Sequence, residues 1–218
     1  MKDQTGKPGK TITLDDAYAL KGREDARRLY DAWADSYDES FARAHDYRAP
    51  DILAGVYAEH CTDPTAPVLD VGAGTGLVAE GLAARGNFTV DALDICEKML
   101  EVASRKGLYR NLILGDLTAT LPIADATYGG FTSTGTFTHG HVGPEALDEL
   151  IRVGRPGALY VLGIKADIFE NAGFRAKFDS LSSAIRDFRI LEVAGYGENA
   201  TPELQQSLTA MAVFHKAG

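Results

Sequence analysis

Val68-Leu69-Asp70-Val71-Gly72-Ala73-Gly74-Thr75-Gly76 is the stretch whose reading decides the fold. Val68 to Val71 is a short apolar run broken by one acid, and it reads as a buried strand. Three alternating glycines follow, and Leu77 to Arg85 then reads as a helix that Gly86 stops. Working outward, Phe88 to Asp94 reads as a second strand and Cys96 to Lys106 as a second helix, with Met99, Leu100 and Ala103 turned inward. Leu112 to Leu114 is a short third strand and Gly130 to Ser133 a fourth. Pro144 to Val153 is a helix with Leu147, Leu150 and Ile151 on one face, and Pro156-Gly157 turns the chain into a fifth strand, Ala158 to Ile164. Alternating strands and helices imply a parallel sheet with helices on both faces.

The flanks differ. Phe169 to Ile185 reads as mostly helical, broken at Gly173. Phe188 to Tyr196 and Leu208 to His215 read as strands joined by a segment too short for a crossover helix, so that pair is expected to be antiparallel. On the N-terminal side, Glu24 to Arg43 reads as a long helix with Leu29, Tyr30, Trp33, Tyr37 and Phe41 on one broad face. A second helix follows Pro50 and ends near Cys61, and a short one is expected over Asp15 to Leu20, entered through Thr13. The expected architecture is therefore α/β, Rossmann-like and doubly wound. Its sheet is seven-stranded and mostly parallel, with an antiparallel last strand, helices on both faces and an N-terminal helical lid. Residues 1–22 are expected to be a flexible N-terminus and 23–218 a single domain, with 23–62 the lid and 63–218 the α/β core.

Composition narrows the function. The chain has 218 residues, 45% apolar and 24% charged, which is ordinary for a globular domain. Its net charge of −9 repels phosphate backbones, so no nucleic-acid partner is expected. Cys61 and Cys96 form no metal-type cluster and read as free thiols in a reducing compartment. The polar start lacks the apolar core of a signal peptide, and no run reaches the length of a membrane span. A cytoplasmic protein without a membrane partner is expected.

The glycine loop sits at the carboxyl end of a strand and opens a helix, which is where open α/β sheets bind ligands. Gly74-x-Gly76-x-x-Ala79 also fits a dinucleotide pattern, and Asp94 at the end of the second strand would grip a ribose diol in either case. Two acids tilt the balance. Asp70 would oppose a pyrophosphate but suit an ammonium, and Asp116, after Gly115, can accept a hydrogen bond from an adenine amine. A ligand with a diol, an adenine and a cationic amino-acid end matches better than one with two phosphates.

These residues also carry a family resemblance. Val68 to Gly76, Leu93-Asp94-Ile95-Cys96-Glu97-Lys98-Met99-Leu100, Gly115-Asp116 and Arg152-Val153-Gly154-Arg155-Pro156-Gly157-Ala158 resemble the ordered motifs of class I S-adenosylmethionine-dependent methyltransferases. Tyr30-Asp31-Ala32-Trp33-Ala34-Asp35-Ser36-Tyr37-Asp38 is similar to the small-molecule type of that family. More narrowly, the chain resembles the branch named for the Williams–Beuren chromosomal region. The likeness covers about Leu29 to Ile164.

The resemblance implies S-adenosylmethionine as cofactor and assigns roles. Gly72, Ala73, Gly74 and Gly76 would pass its amino-acid end, and Asp70 would receive the ammonium, directly or through water. Asp94 would hold the ribose diol, Ile95 and Met99 would border the adenine, Asp116 would contact its amine, and Leu117 would lie on its face. Ser133 would sit near the methionine moiety. Cys96 stands where Ser is frequent, and Gly129 where an Asp often begins the fourth strand.

The segment Thr134-Gly135-Thr136-Phe137-Thr138-His139-Gly140-His141 is not the Asn-Pro-Pro-aromatic signature of enzymes that methylate nucleic-acid amines, and it has no adjacent acids to hold a metal. Its histidines are candidate general bases, because imidazole titrates near neutrality, and His139 is preferred to His141. Tyr37 would hydrogen-bond the methionine carboxylate if the first helix lies across the cofactor mouth; otherwise Tyr30, Trp33 and Tyr37 are core. Arg48 is either a second partner for that carboxylate or an ordinary surface arginine. The expected function is in-line methyl transfer to a small-molecule acceptor. A nicotinamide-dinucleotide oxidoreductase and a non-catalytic S-adenosylmethionine-binding protein are the alternatives.

Overall fold

The structure, a computed structural model, describes residues 12, 13, 16, 17, 20 and 22–218. The expected flexible terminus lies outside the described residues except at those few positions. Of the expected short helix near Thr13, residues 16 and 17 are helical, and the Thr13 hydroxyl donates to Asp16 Oδ2 at 2.9 Å.

Seven strands make one sheet in the order β3-β2-β1-β4-β5-β7-β6. They are β1 (Val68–Val71), β2 (Val90–Asp94), β3 (Tyr109–Leu114), β4 (Tyr128–Phe137), β5 (Gly154–Lys165), β6 (Ile185–Ala194) and β7 (Leu208–Lys216). The first five pair in parallel. β7 runs antiparallel to both β5 and β6, as the short connection required. The helices are α1 (Arg23–Trp33), α2 (Ala49–His60), α3 (Leu77–Ala83), α4 (Glu97–Arg105), α5 (Ala146–Val153), α6 (Phe174–Ser180) and α7 (Pro202–Gln205). Among the described residues, no helix is long and apolar enough to cross a membrane.

Both faces of the sheet are covered, and side-chain alternation sorts the core into two layers. Leu69, Val71, Tyr160, Leu162, Ala212 and Phe214 pack with Leu147, Leu150 and Val153 of α5 and with Phe174 and Phe178 of α6. Their neighbours Val68, Leu159, Val161, Met211 and Val213 pack on the other face against Leu53 and Tyr57 of α2 and Val78 and Leu82 of α3. Phe131, Tyr160 and Phe214, paired in register on three adjacent strands, stack at 4.3 and 4.6 Å between ring centroids.

Several boundaries differ from expectation for identifiable reasons. β3 starts at Tyr109, because a strand at the sheet edge tolerates the polar Arg110-Asn111 that hid it. Pro156-Gly157 lies within β5 at a register shift, with Gly157 at φ +80°, so it is an irregularity in the strand and not a turn before it. Gly173 does break the C-terminal helical stretch: it caps α6 at φ +85°, and the helix ends at Ser180, with Ile185 already in β6. The long first helix is α-helical only to Trp33. It continues as a 3-10 turn, Ala34–Ser36, and a π-helix, Asp38–Arg43. α2, grouped by sequence with the lid, packs in the core against α3 and the sheet.

The topology positions a site. β1 sits between β2 and β4, so the connections leaving β1 and β4 diverge. A crevice opens at their carboxyl ends, at the topological switch point.

Candidate functional site

The crevice is a cavity of about 160 Å³. Its floor is the turn after β1. Gly72, Gly74 and Gly76 all have positive φ, at +64°, +54° and +93°. A Cβ on Gly72 would lie 1.9 Å from Thr136 Oγ1, whereas one on Gly74 would meet no atom within 4 Å. Gly72 therefore lets the loop seat against β4, and Gly74 leaves open space where a ligand can approach backbone. Gly76 is off the cavity wall. It makes room for the Tyr109 ring, which a Cβ there would meet at 3.0 Å.

Asp94 ends β2 on the cavity wall. Its Oδ2 accepts from the Gly74 N–H at 2.8 Å and its Oδ1 from the Cys96 N–H at 2.8 Å. Burial raises its pKa, opposed by these backbone hydrogen bonds. Each oxygen has a second lone pair for another donor. Ile95, Met99 and Leu117 add apolar wall beside it. Asp116 also lines the cavity; its Oδ1 accepts from the Thr118 N–H at 2.9 Å and the Thr118 hydroxyl at 2.6 Å, which sets the direction of the carboxylate. Thus two acids at the ends of neighbouring strands flank an apolar slot. Among the described residues, no Lys or Arg lines it.

Asp70 and Ser133 are placed differently from expectation. Asp70 is 1% exposed and off the cavity wall. Tyr109 donates to its Oδ2 at 2.7 Å and Thr132 to its Oδ1 at 3.0 Å. Burial outweighs both bonds and pushes its pKa up to about 6. Ser133 is fully buried because its hydroxyl donates to Val71 O at 2.8 Å, tying β4 to β1. Thr134 and Thr136 reach the cavity instead. Sequence reading missed Tyr109 and Thr132, since nothing local to either marks it as a partner of Asp70.

The raised pKa of Asp70 has a measurable consequence. Between about pH 4 and pH 6 the folded chain keeps a proton that the unfolded chain has released. The contribution of Asp70 to stability therefore falls as pH rises through that window. Two units correspond to roughly 3 kcal/mol. Asp70→Asn should remove that contribution, so that the urea midpoint above the window, taken relative to that below it, is higher in the variant than in the wild type. An identical slope in both proteins would assign the titration to another group.

The histidines are separated by the turn at Gly140, φ +71°. His141 lines the cavity. Its Nε2 lies 3.0 Å from the Tyr30 hydroxyl and its Nδ1 2.7 Å from His139 O. A carbonyl can only accept, so Nδ1 carries the proton and Nε2 accepts from Tyr30. Burial lowers its pKa, keeping the ring neutral. The His139 side chain is off the wall, 41% exposed, with Nε2 3.7 Å from Asp167 Oδ2. The structure thus brings His141 to the cavity and leaves His139, the preferred candidate, on the outer side of the loop.

The N-terminal run covers the opening. Ala26, Tyr30, Tyr37 and Tyr47 line the cavity. Trp33 is 3% exposed, stacked on Tyr30 at 6.2 Å and edge-on to Tyr37 at 5.1 Å. Burial raises the Tyr37 pKa far above its ordinary range, so its hydroxyl is a neutral donor. The run is stitched down by Asp38, which accepts from Thr75 of the glycine loop at 2.5 Å and from Lys106 at 2.8 Å, and by Asp31, which accepts from Cys96 Sγ at 3.0 Å. Arg48 is exposed, pairs with Asp46 and does not line the cavity, as an ordinary surface arginine would.

Comparison with known proteins agrees with this geometry. Residues 69–162 match the family model of a methyltransferase domain. The chain is 37% identical over 137 residues to human methyltransferase-like protein 27, covering 62% of this chain and 55% of that protein. It is 38% identical over 99 residues to a demethylmenaquinone methyltransferase of Renibacterium salmoninarum, covering 45% of this chain and 41% of that one. The chain thus spans about half the length of these curated relatives. Among solved structures, a putative S-adenosyl-L-methionine-dependent methyltransferase from Methanococcus maripaludis aligns over 98% of both chains, with TM-score 0.59 and 15% identity. The [4+2]-cyclase SpnF aligns over 91% of this chain and 97% of its own, with TM-score 0.67 and 14% identity. At such identities the structural likeness carries the fold alone. With the curated relatives added to this topology and loop, residues 69–162 are similar to the methyltransferase-domain family, and the chain resembles the class I S-adenosylmethionine-dependent methyltransferases.

Proposed function

We propose that the chain transfers a methyl group from S-adenosylmethionine to a small-molecule acceptor. The observation that carries this reading is the pair Asp94 and Asp116 flanking an apolar slot above an open Gly74, with no cation in the described lining. S-adenosylmethionine supplies an electrophilic methyl on a sulfonium, which an acceptor displaces in line. The chain's own residues supply binding, orientation and water exclusion, and positioning of this kind is worth roughly 7–11 kcal/mol.

In this reading Asp94 holds the ribose diol and Asp116 the adenine amine, with Ile95, Met99 and Leu117 against the base. Gly72, Ala73 and Gly74 pass the amino-acid end, and Tyr37 hydrogen-bonds its carboxylate. Asp70, held by Tyr109 and Thr132, acts from beneath the loop through its charge, and Ser133 and Gly76 act on backbone shape. His141, with Tyr30, is the base for an acceptor that must lose a proton, and His139 orients it through its carbonyl. Demethylmenaquinone in the name of the Renibacterium salmoninarum relative supports a small acceptor, and the charge of −9 disfavours nucleic acid. The free thiols Cys61 and Cys96 suit the cytoplasm.

Isothermal titration with S-adenosylhomocysteine and with NAD tests the reading. Binding of the first alone is expected; binding of NAD alone would make the chain a dinucleotide protein. Product detection across an acceptor screen then separates an enzyme from a protein that only binds the cofactor.

Residues 23–48 act as the lid, within a single domain. Adding S-adenosylhomocysteine should change the fluorescence of Trp33, the only tryptophan, and protect 29–41 from amide exchange. Tyr37→Phe should weaken that ligand by about 0.5–1.5 kcal/mol. Indifference of both probes to a ligand that binds would reduce the segment to core packing.

A further inference from the structure

Asp38 opens the π-helix of the N-terminal run and directly follows Tyr37. Tyr37 lines the cavity, whereas Asp38 is off its wall. The two carboxylate oxygens of Asp38 face different elements. Oδ1 accepts from the Thr75 hydroxyl at 2.5 Å, and Oδ2 from the Lys106 ammonium at 2.8 Å. Thr75 is 1% exposed and stands in the glycine loop between Gly74 and Gly76. Its neighbour Gly74 donates its N–H to Asp94 at 2.8 Å. Two acids therefore hold adjacent loop residues, Asp94 from the sheet and Asp38 from the covering run.

The two contacts of Asp38 differ in what their loss would cost. Lys106 caps α4 and also pairs with Glu80 of α3 at 3.0 Å, so the ammonium keeps a counter-charge if Asp38 withdraws. Thr75 is in another position. Among the described residues its hydroxyl donates to Asp38 alone, and a buried donor left without an acceptor is costly. The covering run cannot lift from the loop in its present shape without stranding that hydroxyl. Loop shape and run position thus belong to one equilibrium.

We propose that Asp38 is a positioning residue that couples, through Thr75, closure of the N-terminal run to the shape of the glycine loop. Ligand binding at the loop then favours closure, and closure favours binding by the same factor. The ligand in this statement rests on the methyltransferase reading; the link between run and loop stands on the contacts themselves.

The test compares full-length Thr75→Val, Thr75→Ser, Asp38→Ala, Lys106→Met and the double variant Thr75→Val with Asp38→Ala, each shown by circular dichroism to fold. Isothermal titration reads S-adenosylhomocysteine affinity, and amide exchange over 29–41 reads closure. Thr75→Val should weaken the ligand about tenfold and abolish the protection it confers on 29–41, and Asp38→Ala should do at least as much. The double variant should match Asp38→Ala, because both changes remove one link. Thr75→Ser, which keeps the hydroxyl, should behave as wild type. A merely structural role would lower the melting temperature and leave ligand-induced protection intact. Wild-type affinity and protection in Thr75→Val, or effects that multiply in the double variant, would overturn the proposal. So would Lys106→Met reproducing Asp38→Ala while Thr75→Val does nothing. A wild-type protein that ignores S-adenosylhomocysteine would overturn the methyltransferase reading instead. The link is then read without ligand: Thr75→Val should speed exchange over 29–41 about tenfold and Thr75→Ser should not, and unchanged exchange in Thr75→Val would overturn the link as well.

Discussion

His141→Ala is expected to lower turnover by about 10²–10⁴-fold on an acceptor that must lose a proton, the usual range for a general base. The neutral ring offers Nε2 on the cavity side, and its only described partner there is the Tyr30 hydroxyl. Nδ1 is held by His139 O, which fixes the tautomer that leaves Nε2 basic. Because burial lowers the His141 pKa, the base form persists into mildly acidic solution. The wild-type rate should therefore fall off only below the ordinary histidine range, and this limb should vanish in the variant. His139→Ala, whose lost side chain is off the cavity wall, should keep most of the turnover. If the two variants exchange behaviours, the base assignment reverts to His139. If neither changes rate or pH profile, positioning alone carries the reaction.

Asp94→Ala is expected to weaken S-adenosylhomocysteine about a hundredfold. Two hydrogen bonds from a diol to a carboxylate are each worth about 1.5–3 kcal/mol, partly offset by water returning to the diol. The same carboxylate holds the Gly74 and Cys96 N–H groups at 2.8 Å, so its loss also loosens the loop and the start of α4. Asp94→Asn keeps one acceptor oxygen and should fall between the two. Titration calorimetry on variants shown to be folded reads the effect. Unchanged affinity in folded Asp94→Ala would place the diol elsewhere.

The parts of this protein legible in its sequence are those encoded by neighbours along the chain. Val68 to Gly76 determined a strand, a positive-φ turn and a helix, because only glycine takes that turn freely. Alternation of strands and helices determined the parallel sheet, and the short link before Leu208 determined the antiparallel end. Asp94 and Asp116 were readable as acids at strand ends, and both lie on the cavity wall.

What tertiary structure decided depends on residues distant in sequence. Asp70 and Tyr109 are 39 positions apart, so no local pattern announced that the carboxylate would be buried and capped by a phenol. Ser133 and Val71 are 62 apart, and their hydrogen bond turns a residue expected at the ligand into a clamp between strands. His139 and His141 have the same chemistry two positions apart. Only the turn at Gly140 and the approach of Tyr30, 111 positions away, determine which one faces the crevice. Composition and periodicity record which residues a chain has and which face of its own helix or strand each occupies; which faces meet is settled by packing.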